Sequence, residues 1–327
     1  MIHEVYQRVE ADFPDNARFR GRRVFAIDGC KTNLQRSHEL DNAFGRPTGA
    51  HVPQALVSAL VNVCNRTPMD VSVHKHATCE RSVLLEEHLQ FLQPEDILVL
   101  DRGYPSYEVV SELLEAGVDF VIRTPKASTF PAITEFLESG RDDSVVYLDL
   151  PRVNGREATR VRLRAARLDG DDDDGPMVFL TSLPRNQWSW STLCQLYRLR
   201  WEEEELFKTF KADYFDQRQF HSKKTAGVKQ EVCASFLFLA ISRYLMGSVA
   251  ALHDRPLREV SQKGSILGFA DYLLRIFRQD PRQGAMLIQR LLDRIARQRE
   301  KPRPRRSFPR RSFRPTRKWN ATGRRGG

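Results

Sequence analysis

Two aspartates in the sequence each end an apolar run and stand just before a glycine. Asp28 closes the run VFAID and is followed by Gly29, and Asp101 closes ILVLD two residues ahead of Gly103. Apolar runs of this length, bounded by turn residues, are typical of buried strands. Because the ends of neighbouring parallel strands meet at one edge of an α/β sheet, where ligands bind, we expect the two carboxylates to lie close together.

Closely packed carboxylates favour a divalent cation. They repel each other unless a cation neutralises them, and Mg2+ prefers oxygen ligands while keeping positions for water and phosphate oxygens. Two such ions about 4 Å apart would activate an attacking oxygen and stabilise a leaving one during phosphoryl transfer. For either aspartate alone, a capping or solvent-exposed carboxylate is an equally good interpretation.

A third acid lies in a glutamate-rich segment with helical spacing. On one continuous helix, four of its residues project within a stripe of about 60°. These residues are Tyr197, Arg200, Glu204 and Lys211. Glu204 could bind a metal ion, while Arg200 and Lys211 could bind phosphate oxygens. The apolar residues beside the stripe, which can pack on a sheet, are Leu206, Phe207 and Phe210. The alternative is a surface helix with ordinary ion pairs, for which the better candidates are Glu202, Glu203 and Glu205.

The elements that must position these acids are also predicted by the sequence. Apolar and β-branched runs predict strands at 24–28, 51–65, 69–77, 97–101 and 119–125, and helical spacing predicts helices over 79–92 and 106–117. Strands that alternate with helices favour an α/β sheet with parallel pairings.

The character of the sequence changes after this alternating part. Between about 125 and 185, short β-favouring runs are separated by polar turns, including a hairpin signal at Asn154–Gly155. We interpret this stretch as a mostly β insertion. From Trp190 onward the spacing is helical, through the glutamate-rich segment and a C-terminal helical region that ends near residue 296.

The positive charge of the chain is concentrated at its C-terminus. The chain carries +10 overall, and residues 297–327 contain thirteen Lys and Arg against one acid, so the preceding part is slightly negative. Alternating Arg and Pro with few aliphatic residues predict a disordered tail. Such a tail either keeps the protein soluble or, as we favour, binds the phosphates of a nucleic acid.

Cysteine usage and hydropathy indicate the compartment. The five cysteines have no C-x-x-C spacing, which fits free thiols in a reducing cytoplasm. The N-terminus lacks a signal-peptide pattern, and no uninterrupted apolar run approaches 18 residues. We therefore expect a cytoplasmic, nucleoid-associated protein without a membrane partner.

Several segments together resemble one known family. YRLRWEEEELFKTFK matches the Y-x2-R-x3-E-x6-K signature of DDE transposases of insertion sequence family four at all four positions. AIDGC resembles the family's first-Asp segment, and VLDRGYPSYEVVSELLEAGVDFVIR resembles its second-Asp segment. CERSVLLEEHLQFLQPEDI also looks like the stretch before the second Asp. The resemblance runs in order from about residue 24 to residue 215.

The resemblance implies a fold and a division of the chain. The fold is a ribonuclease H-like α/β fold with a mostly β insertion, followed by C-terminal helices and a disordered basic tail. Residues 1–23 would be a short N-terminal segment and 24–215 the catalytic core, with the insertion at about 125–185. Residues 216–296 would be the helical region and 297–327 the tail.

The resemblance also implies an activity. Asp28, Asp101 and Glu204 would bind two Mg2+ ions, for which Mn2+ can substitute. Water would then cut the transferred DNA strand, and the freed 3′-hydroxyl would attack target DNA. Family members can pass through a hairpin at the transposon end, whose terminal phosphates would be contacted by Tyr197, Arg200 and Lys211.

Other residues are candidates for DNA contact. We expect Arg102 to bind DNA beside Asp101. A flipped base needs an aromatic platform, and the candidates are Trp188, Trp190 and Trp201, of which we select Trp201. The partners would be transposon inverted-repeat ends and target DNA. A homodimer is expected because two ends must be joined.

Two alternatives remain from the sequence. Only 27 residues precede Asp28, where family members usually carry a larger helical DNA-binding region. A truncated or inactive transposase that acts as a DNA-binding regulator is therefore one alternative. The other is a nuclease of the same fold, because fold alone does not determine the reaction.

Overall fold

Nine strands form one mixed sheet in the computed structural model, which describes residues 1–125, 130–152, 157–168, 177–212 and 220–300. The strands are β1 (Arg18–Phe19), β2 (Arg22–Asn33), β3 (Gln54–Asn62), β4 (Thr67–Lys75), β5 (Ile97–Leu100), β6 (Asp119–Thr124), β7 (Asp143–Leu150), β8 (Thr159–Leu168) and β9 (Met177–Thr181). Their order is β4-β3-β2-β5-β6-β9-β8-β7, with β1 paired to β2. β2, β5 and β6 are parallel neighbours, and the other pairs are antiparallel. The predicted α/β sheet with parallel pairings is confirmed.

The first catalytic candidate does not end its strand, so the prediction of a strand over 24–28 is wrong in its bounds. β2 runs from Arg22 to Asn33, and Asp28 lies in its middle. The reason is that β2 has two different partners. Parallel β5 pairs with it only as far as Ala26, whereas antiparallel β3 pairs with it as far as Asn33. Asp28 therefore lies just beyond the last parallel pair, where β2 and β5 separate.

The insertion continues the central sheet. β9 pairs with β6, β8 with β9, and β7 with β8, all antiparallel. The three β-favouring runs are thus confirmed as strands, but the insertion also contains a helix, α5 (Pro131–Glu138). The predicted turn at Asn154–Gly155 lies outside the described residues.

Helices cover both faces of the sheet. They are α1 (Ile2–Asp12), α2 (His38–Phe44), α3 (Glu80–Val83), α4 (Tyr107–Glu115), α5, α6 (Trp190–Arg198), α7 (Trp201–Ala212), α8 (Thr225–Leu252), α9 (Gln262–Phe277) and α10 (Pro281–Ala296). α3 continues into a π-helical turn (Leu84–His88) and a 3-10 turn (Leu89–Phe91). The predicted helix over 79–92 is therefore confirmed, with irregular geometry. Short 3-10 turns also occur at Pro14–Ala17 and Leu257–Glu259.

Alternation along β2 assigns these helices to opposite faces. Phe25 and Ile27 pack in a core with α4 and α5. Val24 and Ala26 pack with α6, and Cys30, further along the same face, packs with α7 and α8. Asp28 occupies the same alternating position as these last residues, so it faces the α6–α7 side. The prediction that the apolar residues of the glutamate-rich segment pack on the sheet is confirmed.

The glutamate-rich segment is two helices, so the prediction of one continuous helix is wrong. α6 ends at Arg198 and α7 begins at Trp201. The connection is closed by bonds from each N–H to the carbonyl three residues earlier, from Leu199 to Leu196 and from Arg200 to Tyr197, both at 3.1 Å. Such bonds tighten the turn relative to an α-helix. The predicted stripe assumed a rotation of 100° per residue along one helix. That rotation therefore does not apply between Tyr197 and the residues that follow it.

The long apolar helix α8 packs inside the protein. By length and composition it could cross a membrane, but 61% of its most apolar 18-residue window is buried. It packs against α1 and β4, and Val232, Phe236 and Leu239 enter the core beside α7. α8 is therefore a core helix that packs against the sheet and α7.

Residues near both ends of the described chain contact the rest of the protein. In the segment 1–23, Tyr6 of α1 is fully buried and accepts a hydrogen bond from Nδ2 of Asn62 (3.2 Å). At the other end, the tail does not begin at 297. Arg299 forms a β-bridge with Val260, and the N–H of Glu300 donates to the carbonyl of Glu259 at 2.9 Å. Residues 301–327 lie outside the described residues.

Candidate active site

Asp28 is held at the point where β2 and β5 separate. The backbone N–H of Gly29 donates a hydrogen bond to its Oδ1 atom at 2.8 Å. Burial raises the pKa of Asp28 to about 6, with the Gly29 bond opposing the rise. The negative charges of Asp101 and Glu204 raise it further, and the positive charge of Arg200 lowers it. The charges of Asp101 and Glu204 thus both act on Asp28.

Asp101 follows directly after β5, as predicted. Its Oδ1 atom accepts a hydrogen bond from the N–H of Gly103 at 2.7 Å, and its carbonyl accepts one from the N–H of Tyr104 at 3.3 Å. The DRGY turn therefore fixes the Asp101 side chain through its own backbone.

Glu204 lies on the first turn of α7 and is paired with Arg200. Nη2 of Arg200 lies 2.5 Å from Oε1 of Glu204, with the Arg200 side chain 9% exposed and the Glu204 side chain 27% exposed. The guanidinium also lies over the ring of Tyr197, 5.7 Å from its centroid, a cation–π arrangement. Tyr197 is buried against Phe179 at 4.6 Å between centroids, and its hydroxyl has no hydrogen-bond partner among the described residues. The remaining signature residue, Lys211, belongs to α7, but its side chain lies outside the described part of the protein.

A second glutamate of α7 enters the same site, which corrects its interpretation as a surface ion-pair residue. Glu203 is fully buried, and neither of its carboxylate oxygens has a hydrogen-bond partner among the described residues. Burial raises its pKa well above the usual range, and the charge of Asp28 adds to the effect. For Glu202 and Glu205 the ion-pair interpretation is confirmed, because they pair with Arg66 and Lys208.

Two further site residues, Glu80 and Tyr104, were not predicted from the sequence. Glu80 is the first residue of α3, and its Oε1 atom lies 2.7 Å from the position that a Cβ on Gly29 would occupy. Burial raises the pKa of Glu80 to about 7, and the charges of Asp28 and Asp101 contribute. Tyr104 is 1% exposed, and its hydroxyl is without a hydrogen-bond partner in the described part of the chain.

The signals for these two residues were present but indirect. Glu80 begins the first helix after the three antiparallel strands of the sheet, and Gly29 marks a close approach to β2. Tyr104 belongs to the same turn as Asp101. Its burial next to Glu80, Glu203 and the two aspartates raises its pKa well above the usual range, with desolvation as the main cause.

The aromatic and cationic candidates are not equally accessible. Trp188 is 4% exposed and packs on Phe19, as a packing residue does. Trp190 is 41% exposed, and Trp201 is 44% exposed at the start of α7. Arg102 is exposed and directly follows Asp101 in the sequence.

The donor chemistry of the site suits a hard divalent cation. Every acidic side chain in it offers carboxylate oxygens, which Mg2+ prefers, and the buried oxygens of Glu203 lack partners. Among the described residues, no group of three His, Cys, Asp or Glu side chains has the arrangement that a metal ion requires in this structure. Repulsion between like charges keeps such carboxylates apart. A cation at this site would therefore have to draw them together.

Comparison with solved structures supports the fold. A piggyBac transposase synaptic complex with hairpin DNA aligns with a TM-score of 0.53 and 9% sequence identity, over 93% of this chain and 64% of that chain. The chain thus spans just under two thirds of that transposase. Endonuclease V from Ciona intestinalis, in complex with a 24mer DNA, aligns over 64% of this chain and 98% of its own chain at 12% sequence identity. Its TM-score of 0.26 is too low to indicate a common fold.

Comparison at the sequence level identifies the family. No curated protein matches the chain. The family model described as transposase DDE domain matches residues 19–241, which is more than half of the chain and includes β2, β5 and α7. The chain therefore belongs to the transposase DDE domain family.

Proposed function

We propose that this protein is a cut-and-paste transposase of insertion sequence family four, which cleaves DNA at transposon ends and transfers the freed strand to target DNA. Membership of the transposase DDE domain family supports the general class. One observation carries the assignment of residues: Asp28, Asp101 and Glu204 interact electrostatically at the point where β2 and β5 separate. They come from two strands and one helix that are far apart in the sequence.

The three acids would hold two Mg2+ ions, for which Mn2+ can substitute. These ions would activate the attacking oxygen and neutralise charge on the leaving one. The acids fit this role by donor type and by their uncompensated charge. Arg200 compensates only part of that charge. Of the three acids, Glu204 is the one with which it forms a hydrogen bond.

Arg200 and Tyr197 would position the DNA end. The guanidinium of Arg200 is oriented by Glu204 on one side and by the Tyr197 ring on the other. Its planar group can therefore donate to a phosphate without losing much side-chain freedom. The buried hydroxyl of Tyr197 has no hydrogen-bond partner among the described residues, so it can donate to the same terminal phosphate.

The remaining DNA contacts extend from this point. Arg102 would bind phosphates beside Asp101, and Lys211 lies two helical turns beyond Glu204 on α7. Trp201 would stack on a base flipped out at the hairpin end, because its side chain is exposed next to Arg200. The hairpin DNA in the piggyBac complex supports a hairpin step as part of this proposal.

The assembly would be a homodimer that joins two inverted-repeat ends and one target duplex. The basic residues of 301–327 would strengthen binding to all of these DNAs by neutralising phosphates. We place this reaction in the cytoplasm, at the nucleoid.

The experiment that tests this function uses a supercoiled plasmid that carries the inverted repeats flanking the coding sequence in its source DNA. With Mg2+ and a target plasmid, we expect cleavage at both repeat ends and covalent joining of the 3′-ends to the target. Cleavage without joining would indicate a nuclease of the same fold. Binding without cleavage would indicate a DNA-binding regulator, and either result would contradict the proposal.

A further inference from the structure

Glu80 approaches the catalytic strand from the face opposite to Asp28. Along β2, Phe25 and Ile27 face the α4 side of the sheet, so Gly29 has the same orientation. The carboxylate of Glu80 lies over this glycine. Asp28, one residue earlier, faces α6 and α7. The two acids therefore flank β2 where it separates from β5.

The close approach of Glu80 depends on the absence of a side chain at position 29. A Cβ there would lie 2.7 Å from Oε1 and 2.9 Å from Cδ of Glu80. Such distances are shorter than van der Waals contact, so any other residue would displace the carboxylate. The Asp-Gly sequence thus provides both an acid and the space for a second acid beside it.

Two buried groups near these acids have no hydrogen-bond partner among the described residues, which indicates that a ligand belongs at this site. The hydroxyl of Tyr104 and both carboxylate oxygens of Glu203 are buried without hydrogen-bond partners in the described part of the chain. Both residues interact electrostatically with Asp28 and Asp101. Buried polar groups in native proteins are normally satisfied by protein, water or an ion. A hydrated cation would satisfy these groups and offset the charge of the carboxylates.

We propose that Glu80 is a fourth metal-binding carboxylate of the active site, which helps Asp28 and Asp101 to hold a divalent cation. This inference rests on the proposed function, because it assigns a further residue to the same centre. Glu80 interacts electrostatically with both aspartates, and Lys31 compensates part of its charge. Because these like charges repel one another, a cation that drew the three carboxylates together would stabilise their ionised forms.

The test measures Mn2+ binding to the full chain by electron paramagnetic resonance, without DNA. Glu80→Gln preserves the size of the side chain and removes its charge. We expect it to weaken Mn2+ binding about tenfold or more, in the range typical of lost metal-site groups. Glu86→Gln is the matched control, because Glu86 is exposed in the π-helical turn that continues α3. It should bind Mn2+ like the wild type.

A second variant displaces Glu80 without changing any charge. Gly29→Ala places a Cβ 2.7 Å from Oε1 of Glu80, so the flexible carboxylate must move away. The same Cβ lies 2.8 Å from Cδ1 of Leu56, whose side chain must also shift. We expect weaker Mn2+ binding in this variant and little additional loss when it is combined with Glu80→Gln. Non-additivity of this kind indicates that both changes act on one interaction. Unfolding in urea checks that each variant is folded.

Asp101→Asn separates failure of this inference from failure of the proposed function. Wild-type Mn2+ affinity in Glu80→Gln, with loss of binding and cleavage in Asp101→Asn, would overturn the role of Glu80 and leave the transposase proposal intact. Cleavage that persists in Asp101→Asn would overturn both. Weakened Mn2+ binding in Glu80→Gln and Asp101→Asn, but not in Glu86→Gln, is the result that we expect.

Discussion

Arg200 binds the carboxylate of Glu204 from the turn that separates α6 from α7, with Nη2 2.5 Å from Oε1. The pair joins the end of one helix to the first turn of the next. Because the Arg200 side chain is only 9% exposed, this ion pair is protected from most of the screening by solvent. It fixes the position of the Glu204 carboxylate, whose negative charge acts on Asp28.

The first prediction concerns this acid. Glu204→Gln should abolish metal-dependent cleavage and leave DNA binding nearly intact. The amide oxygen can still accept the hydrogen bond from Arg200, so the turn between the helices is retained while the charge needed for the metal is lost. Cleavage of end-labelled DNA and anisotropy binding measurements check the two parts separately.

Glu205→Gln is the control for this variant. Glu205 lies one residue further along α7 but pairs with Lys208 on the surface, where ion pairs contribute little. It should cleave like the wild type. Equal loss of cleavage in both variants would assign the effect to α7 as a whole and would contradict a specific role for Glu204.

The second prediction concerns stability and pH without metal. The pKa of Asp28 is raised to about 6 and that of Glu80 to about 7, from ordinary values of 3.8 and 4.5. Between about pH 4 and 7 the folded protein therefore binds more protons than the unfolded chain. The contribution of these groups to the free energy of unfolding falls as the pH rises through this window.

Asp28→Asn removes one of these groups. Relative to the wild type, it should gain stability at pH 8 and show no gain at pH 4, in urea unfolding with EDTA present. Glu205→Gln again provides the control, and its free energy of unfolding should depend on pH in the same way as that of the wild type. If the free energy of unfolding of Asp28→Asn also depends on pH as in the wild type, the folded protein does not destabilise the ionised form of Asp28.

Much of the candidate site could be predicted from the sequence because its strands are buried on both faces. VFAI and ILVL are uninterrupted apolar runs of the kind that parallel neighbours require. The acid at the end of β5 was therefore placed correctly. The end of β2 was predicted wrongly, because the length of this strand depends on its antiparallel partner β3. The apolar run VFAI does not specify that partner.

The errors within the glutamate-rich segment have a different cause. No Gly or Pro marks the turn at Leu199 and Arg200, so local sequence gave no signal for the break. The burial of Glu203 was missed because charged residues are almost never fully buried unless paired. Glu80 was missed because its proximity to Gly29 joins segments 51 positions apart.

The third prediction concerns the basic tail. A chain truncated after Glu300 keeps the contacts of Arg299 and Glu300 with the loop before α9 and loses eleven Lys and Arg. It should bind DNA of any sequence more weakly. The slope of log K against log salt should fall by about 0.9 for each lost phosphate contact. A Gly/Ser tail of equal length is the control, and an unchanged slope would exclude a role of 301–327 in DNA binding.

The fourth prediction distinguishes Trp190 from Trp201, which are both exposed. Trp201→Ala should slow cleavage at the transposon end about tenfold or more, because stacking on one base contributes about 1–3 kcal/mol. Trp190→Ala should have little effect on cleavage, since the Trp190 indole N–H donates to the carbonyl of Arg167 at 2.5 Å. Fluorescence of 2-aminopurine at the terminal base would report the flipped state. A larger loss of cleavage in Trp190→Ala would reverse the assignment.

The most direct test of the central claim is strand transfer from a supercoiled plasmid with the flanking inverted repeats, with Mg2+, in the wild type and in Asp101→Asn. Asn retains the oxygen that accepts the hydrogen bond from Gly103 but removes the negative charge. We predict that the wild type cleaves at the repeat ends and joins them to target DNA, and that Asp101→Asn binds the same DNA without cleaving it. Cleavage that is equal in the two proteins would contradict the account.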